Sequence, residues 1–158
     1  TDMTRRYAYS FGGSRAVDST PLSKPKNATI LSSIQLNGTL HYTTFSGGTT
    51  VERFKRYLET DLLPHLNGNS VLVMDNMKSH HAKAVKDLLD SSGVRYIYLP
   101  PYSPDLNLIE KLRSKVKALL RKFKARTPDA LPNAIQNAFH AVTVSDCSGW
   151  FRFCGYAL

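Results

Sequence analysis

The clearest hydrophobic pattern in the first half of the chain is that of a β-hairpin. Residues 27–36 and 39–45 are rich in β-branched and aromatic side chains, as strands are. An Asn-Gly pair at positions 37–38 lies between them, and this dipeptide strongly favours the tight turn of a two-residue hairpin. We therefore expect two antiparallel strands in this region.

Helical and strand-like periods alternate after the hairpin. The predicted helices cover about 51–63, 80–91, 108–124 and 127–142, with Thr49 or Thr50 and Ser79 as N-caps of the first two and Ser145 as the N-cap of a last short helix. The predicted strands cover 70–75 and 94–99, with a short strand around 6–11. This order favours an α/β fold with a mixed sheet. The 158 residues suit a single domain, 1–158, without repeats or linkers.

Composition adds a strong positive charge. Lys and Arg outnumber Asp and Glu by 21 to 12, and the net charge is +9. Such a balance suits a polyanionic partner, although a soluble basic protein without one would share it. No apolar run is long enough to span a membrane. Cys147 and Cys154 lack nearby Cys or His partners, so we expect buried thiols in a reducing cytoplasm, not a zinc site.

Two carboxylates lie at the ends of predicted rigid elements. Asp75 ends a buried strand, Glu110 opens a helix, and 34 residues separate them. Hard oxygen ligands of this kind hold the divalent metal ions of phosphoryl-transfer sites. Each acid also has a structural interpretation: Asp75 as a turn or helix-cap residue, and Glu110 as the partner of Asn107 in a capping box.

The segment around these acids resembles the catalytic half of mariner-type DDE transposases, specifically their bacterial insertion-sequence branch. The resemblance rests on Asp75, Asn76, Ser79, His80, the run Leu-Pro-Pro-Tyr-Ser-Pro-Asp-Leu-Asn at 99–107, and Glu110 at the typical spacing. A weaker likeness extends from Arg6 and Tyr7 to residues 150–156. Leu108 departs from the family, which usually has Pro there, and Lys111 stands where Trp is common.

The resemblance implies a ribonuclease-H-like fold and a two-metal reaction that cleaves transposon-end DNA and joins the freed 3′-hydroxyl to target DNA. It implies Asp75 and Glu110 as catalytic metal ligands for Mg²⁺ or Mn²⁺, with Asn76 and His80 supporting Asp75. The expected full-length protein is a homodimer in the bacterial cytoplasm, associated with the nucleoid.

The family needs a third acid, which it places on the opening strand of the sheet. That strand is expected upstream of Thr1, because Asp2 and Asp18 follow no apolar run. We therefore expect the chain to be the C-terminal part of a catalytic domain without its helix-turn-helix region, and to be inactive alone. A catalytically incomplete DNA-binding remnant, or a different ribonuclease-H-like nuclease such as a resolvase, are the alternatives.

The helix that carries Glu110 also carries a row of cations. At about 100° per residue, one flank presents Arg113, Lys117, Arg121 and Lys124. The neighbouring stripe is apolar and consists of Ile109, Leu112, Val116, Leu119, Leu120 and Phe123. A DNA backbone would lie along the basic row, although such rows are often only solvated faces. Tyr102, in the Pro-rich loop, is predicted either to pack or to stack on a base.

Overall fold

Strands and helices alternate in the order that the sequence predicts. The computed structural model describes residues 9–17, 27–124, 127 and 129–156. The strands are β1 (Ala28–Ile34), β2 (Leu40–Ser46), β3 (Val71–Met74) and β4 (Arg95–Tyr98). The helices are α1 (Val51–Tyr57), α2 (Lys83–Ser92), α3 (Leu108–Phe123), α4 (Ala130–His140) and α5 (Val144–Phe153). Within these ranges no helix is long and apolar enough to cross a membrane.

Three predictions fall on other parts of the chain. Asp2, Asp18 and most of the strand expected around 6–11 lie outside the described residues. The described end of that segment is not a strand, because Phe11–Gly13 forms a single 3-10 turn.

The predicted hairpin is confirmed. Strands β1 and β2 pair antiparallel, and the amide of Gln35 donates to the carbonyl of Thr39 across the turn at 3.0 Å. Gly38 has a φ of +88°, a conformation that favours glycine. Packing also requires glycine at this position, since a Cβ would lie 2.8 Å from Cγ2 of Val144 in α5.

A parallel pair, β3 and β4, forms the second sheet. Its ladder runs from Val71 opposite Arg95 to Met74 opposite Tyr98, and continues in a 2.7 Å hydrogen bond from the Leu99 amide to the Met74 carbonyl. Both strand directions of the predicted mixed sheet are therefore present. Within the described ranges they form two separate two-stranded sheets, because no ladder joins β1 to β3.

Apolar side chains form two clusters on opposite faces of the hairpin. The first packs α1 and α2 against the parallel pair and includes Phe54, Tyr57, Leu58, Leu62, Met74, Val85 and Leu89. The second packs α3 against α4 and includes Leu112, Val116, Leu120, Ile135, Ala138 and Phe139. Leu31 contacts the first cluster and Ile30 the second, since successive strand residues point to opposite faces. Strand β1 is thereby covered by helices on both sides.

Two predicted helix starts are wrong. Ser79 does not cap α2, which begins at Lys83 after Ala82, and the Ser79 hydroxyl is buried without a hydrogen-bond partner. The intervening residues form turns that carry the His80 ring inward. Helix α5 begins after Thr143 instead of Ser145, because Thr143 and Asp146 form a complete capping box.

Two other helix boundaries and one burial prediction also differ. Regular α1 ends at Tyr57, and the chain continues as a wider turn over Leu58–Leu62 before the Pro-containing turn Leu63–His65. Helix α4 begins at Ala130, about three residues later than predicted. Phe123 is 43% exposed instead of buried, because α3 ends there. The rest of the apolar face of α3 is buried or half-buried as predicted.

Candidate acidic site and nucleic-acid interface

Asp75 follows the last residue of β3, and two donors fix its carboxylate. Oδ1 accepts a hydrogen bond from the Met77 amide at 3.1 Å and lies 2.9 Å from Nδ1 of His80. The hydrogen bond from His80, with help from the Met77 amide, holds the pKa of Asp75 below its ordinary value, although partial burial opposes this. The side chain is therefore an anion at neutral pH and remains 41% exposed.

The core holds His80 in position. Its ring is buried and lies against the ring of Phe54, with centroids 4.1 Å apart. Its backbone carbonyl accepts a 2.9 Å hydrogen bond from the hydroxyl of Tyr98. Contacts from α1 and β4 thus set the orientation of the imidazole that faces Asp75.

Asn76 connects the end of β3 to the loop that leads to α3. Its side-chain amide donates to the carbonyl of Leu99, and its Oδ1 lies 2.8 Å from Nε2 of His81. The His81 ring in turn stacks on Tyr98, with centroids 4.1 Å apart. These contacts anchor the loop beside Asp75. The Asn76 side chain contacts Leu99 and His81 in them, and not the Asp75 carboxylate.

The loop of residues 99–107 is anchored at its other end by the C-terminal segment. Pro104–Leu106 form a 3-10 turn, and the carbonyl of Leu106 accepts a 3.0 Å hydrogen bond from the hydroxyl of Tyr156. No local pattern predicts this contact, because the two residues are fifty positions apart in the chain. Both ends of the loop are consequently fixed to the body of the domain.

The capping box predicted at the start of α3 is only half formed. Oδ1 of Asn107 accepts a hydrogen bond from the Ile109 amide at 3.1 Å, as an N-cap does. The Asn107 amide donates to the carbonyl of Pro104 instead of to Glu110. The Glu110 carboxylate is 47% exposed, and its ion pair is a loose 3.5 Å contact with Arg113. Its oxygens are therefore accessible to a ligand.

A shallow groove of about 400 Å³ lies along one face of α3, and we call it the basic groove. It is lined by Glu110, Arg113, Ser114, Lys117 and Arg121. The pKa of Lys117 is lowered by partial burial and by the like charges of Arg113 and Arg121, while Glu110 opposes the shift. Three cations on one helix face with a single acid repel one another, and a bound anion would relieve that repulsion.

The opposite flank of α3 uses its cations to hold α5. Lys111 lies over the ring of Phe153, with Nζ 3.7 Å from the centroid, and Lys115 forms an ion pair with Asp146. The Lys115 contact and the Thr143 cap lower the pKa of Asp146 to about 2. Helix α3 therefore separates structural cations from those of the basic groove.

Lys124, the fourth cation of the predicted row, is placed differently. It lies one residue beyond α3 in a left-handed conformation, with a φ of +51°, and it does not line the basic groove. The groove thus begins at Glu110 and extends for three helical turns.

The residues fit a divalent metal ion only in part. Asp75 and Glu110 offer accessible carboxylate oxygens, which hard cations prefer. Among the described residues, however, no three Asp, Glu, His or Cys side chains gather into a metal site. A complete site would need a further ligand from elsewhere.

The fold of the chain is similar to that of several solved structures. The Mos1 Strand Transfer Complex superposes with a TM-score of 0.70 at 19% identity, covering 94% of this chain and 46% of that one. The Mos1 transposase paired-end complex with left transposon end gives 0.71 at 19%, covering 94% and 47%. The Mos1 mariner paired end complex with Mn gives 0.66 at 17%, covering 94% and 47%. The chain spans about half the length of these proteins.

These superpositions confirm the ribonuclease-H-like α/β fold expected from the sequence. No curated protein sequence matches the chain. The family model described as DDE superfamily endonuclease matches residues 1–131, a span that includes Asp75, Glu110 and the basic groove. Because this match covers most of the chain, the protein belongs to the DDE superfamily of endonucleases.

Proposed function

We propose that the complete protein is a DNA transposase that cleaves transposon-end DNA and transfers the freed strand to a target. The observation that carries the proposal is the pairing of two accessible carboxylates with the basic groove. Asp75 follows β3, Glu110 opens α3, and the anchored loop 99–107 connects them. The finer assignment to the bacterial insertion-sequence branch is part of the proposal, as are a homodimer and a place at the nucleoid.

Asp75 and Glu110 are the proposed catalytic residues and would hold Mg²⁺ or Mn²⁺. A bound divalent ion supplies charge to the scissile phosphate and lowers the pKa of an attacking water. The protein keeps Asp75 ionised and oriented through His80 and the Met77 amide. It keeps Glu110 accessible by giving the Asn107 amide a different acceptor. Asn76 supports the site by holding the loop against the end of β3.

The basic groove is the proposed binding surface for the DNA backbone. Arg113, Lys117 and Arg121 follow one another at intervals of four residues. At a rise of about 1.5 Å per residue they span about 12 Å, the axial length of roughly three to four nucleotides. Lys124 would extend this path beyond the helix end. Since Glu110 lies at the start of the groove, the bound strand would lead directly to the acid.

DNA binding without catalysis is the second candidate function. It is favoured by the basic groove itself, which needs no metal ion to bind a polyanion. Both candidates bind DNA with strong salt dependence. They differ in cleavage, because only the transposase cleaves the DNA that it binds.

The test uses the complete gene product and duplexes that carry the ends of its own element. With Mg²⁺ or Mn²⁺ we expect strand cleavage at the element ends, and none in the presence of a chelator. Asp75→Asn and Glu110→Gln should each reduce the cleavage rate by about a thousandfold or more while binding persists. Asp87→Asn, at an exposed position of α2, is the matched control and should cleave normally. Undiminished cleavage by both acid variants would overturn the proposal, and binding without cleavage by the unmodified protein would establish the alternative.

A further inference from the structure

Two Asn-Gly pairs occur in the chain, and Leu precedes each of them. They are Asn37-Gly38 in the hairpin turn and Asn67-Gly68 in the turn before β3. An asparagine before glycine loses its side-chain amide readily, because the small glycine lets its backbone nitrogen reach the side-chain carbonyl carbon. The local sequences are so alike that they predict similar rates at the two sites. Both asparagines are exposed, so exposure does not separate them.

The attacking nitrogen is hydrogen-bonded in one pair only. The Gly38 amide donates a 3.1 Å hydrogen bond to the carbonyl of Gln35. Attack requires this nitrogen to lose its proton, and a hydrogen bond that holds the proton opposes that step. Among the residues that the structure describes, no group accepts a hydrogen bond from the Gly68 amide. The Gly68 nitrogen is therefore the more available nucleophile.

Packing around the two glycines separates the sites in the same direction. Formation of a cyclic imide moves the backbone at the glycine, so the turn must have room to change. Gly38 lies against α5, where a Cβ would approach Val144 to 2.8 Å. Nothing lies within 4 Å of the position of a Cβ at Gly68, and residues 67–69 are exposed. The turn before β3 therefore accommodates the ring more easily than the hairpin turn does.

Two donors also activate the side chain of Asn67. Its Oδ1 accepts hydrogen bonds from the Asn69 amide at 3.0 Å and from the Ser70 hydroxyl at 3.3 Å. The first contact folds the side chain back along its own main chain, as in an Asx turn. Both donors contact the oxygen that becomes negative when the nitrogen attacks, and such donors lower the barrier to acyl transfer. Within the described ranges Oδ1 of Asn37 has one such donor, the Thr39 amide at 2.9 Å.

We infer that Asn67 is a site of spontaneous deamidation in the folded protein, and that the fold protects Asn37. The Gly68 nitrogen bonds to Cγ of Asn67, and the bond from Cγ to the side-chain nitrogen breaks. Solvent carries the proton from the attacking nitrogen to the departing one, which leaves as ammonia. Water then opens the cyclic imide at either carbonyl and yields aspartate or isoaspartate. The inference does not depend on the proposed function.

Either product changes the turn that leads into β3. Both add a carboxylate at position 67, and isoaspartate also adds a methylene to the main chain. The turn is closed by a 2.9 Å hydrogen bond from the Ser70 amide to the Asn67 carbonyl. Isoaspartate therefore lengthens the main chain directly before the strand that ends next to Asp75.

The test incubates the complete gene product in mildly alkaline buffer, once folded and once unfolded in guanidinium chloride. Mass spectrometry of proteolytic peptides follows deamidation at each asparagine, and an isoaspartyl methyltransferase labels isoaspartate. In the folded protein Asn67 should react at least about fivefold faster than Asn37, the effect of roughly one net hydrogen bond. In the unfolded protein the two rates should become similar, because only the local sequences then act.

Gly68→Ala is the matched variant. Its backbone lies outside the left-handed region and its Cβ meets nothing, so it should fold with an unchanged Tm. Its side chain hinders ring closure, so deamidation at Asn67 should be suppressed while the rate at Asn37 stays the same.

Three results would overturn the inference. They are equal rates at Asn37 and Asn67 in the folded protein, a reaction at Asn67 only after unfolding, and an undiminished rate in Gly68→Ala. None of these measurements uses DNA, so such a failure leaves the proposed function untouched.

Discussion

Glu110 and Asp146 allow a matched test of what a carboxylate does in the first turn of a helix. Each is the third residue of its helix, after Asn107 in α3 and after Thr143 in α5. Asp146 completes its capping box and forms an ion pair with Lys115, whereas Glu110 completes no capping box and has only the loose contact with Arg113. We therefore compare Glu110→Gln with Asp146→Asn, two changes that each remove one charge and retain the shape of the side chain.

The structure predicts unequal effects on the free energy of unfolding. Glu110→Gln loses the favourable interaction with the helix dipole and one exposed contact with Arg113, together about 1 kcal/mol. Asp146→Asn loses the dipole term, the return half of a capping box and a charge-assisted hydrogen bond, together about 2–3 kcal/mol. For a domain of this length, each kcal/mol lowers Tm by roughly 2–4 °C.

Thermal and urea unfolding measure these differences, and the cleavage assay measures the function of the same two variants. We expect Glu110→Gln to lower Tm by about 2–4 °C and to lose about a thousandfold in cleavage rate. We expect Asp146→Asn to lower Tm by about 4–12 °C and to cleave normally at temperatures well below its Tm. Stability and activity would then be lost by different variants.

Two results would refute this reasoning. Equal losses of stability would mean that Glu110 caps α3 in solution, so its carboxylate would not be the accessible group described above. A matched loss of cleavage in Asp146→Asn, at a temperature where it is folded, would mean that activity follows the packing of α3 on α5. Glu110 would then need no direct role.

Three further predictions concern the groove, the pH dependence and the hairpin. Replacing the three cations of the basic groove by Gln should reduce the slope of log affinity against log salt by about 3, whereas Lys122→Gln should reduce it by about 1 at most; titrations at several salt concentrations measure both. The low pKa of Asp146, about 2, means that its contribution to stability is complete above pH ~4 and is lost as the pH falls through about 2. The stability gap between the unmodified protein and Asp146→Asn, measured by urea unfolding, should therefore narrow over that interval, and a gap independent of pH would contradict the assignment. Gly38→Ala should destabilise the protein by about 2 kcal/mol or more through its positive φ and its contact with Val144, and Gly48→Ala, where nothing lies within 4 Å, should not; equal Tm values for both variants would contradict this.

Local signals in the sequence predicted the elements that depend on local chemistry. The Asn-Gly pair gave the hairpin, because its turn requires a residue that tolerates positive φ. Asn107 gave the start of α3, because an N-cap satisfies an amide two or three residues away. Both cysteines are buried free thiols, as their isolation from Cys and His partners indicated. The family resemblance also located the segment that the family model matches.

Local signals failed where distant residues compete for the same atoms. Ser79 is a good N-cap by type, but its hydroxyl is buried in the turn that brings His80 to Asp75. The start of α5 is a different case. Thr143 has Asp146 at the right spacing to complete a capping box, and this local signal favours Thr143 over Ser145 as the N-cap.

The sequence by itself determined which residues we propose for the chemistry: two acids at a fixed spacing, a stiff loop between them and a helix with cations on its surface. Only the tertiary structure decided what each of these groups is free to do. It left the Glu110 carboxylate outside a capping box, paired Lys115 with Asp146 instead of placing it in the basic groove, and left Tyr102 exposed. Periodicity determines the direction in which a side chain points from its own helix or strand. The group that it contacts there comes from a part of the chain that only folding brings near.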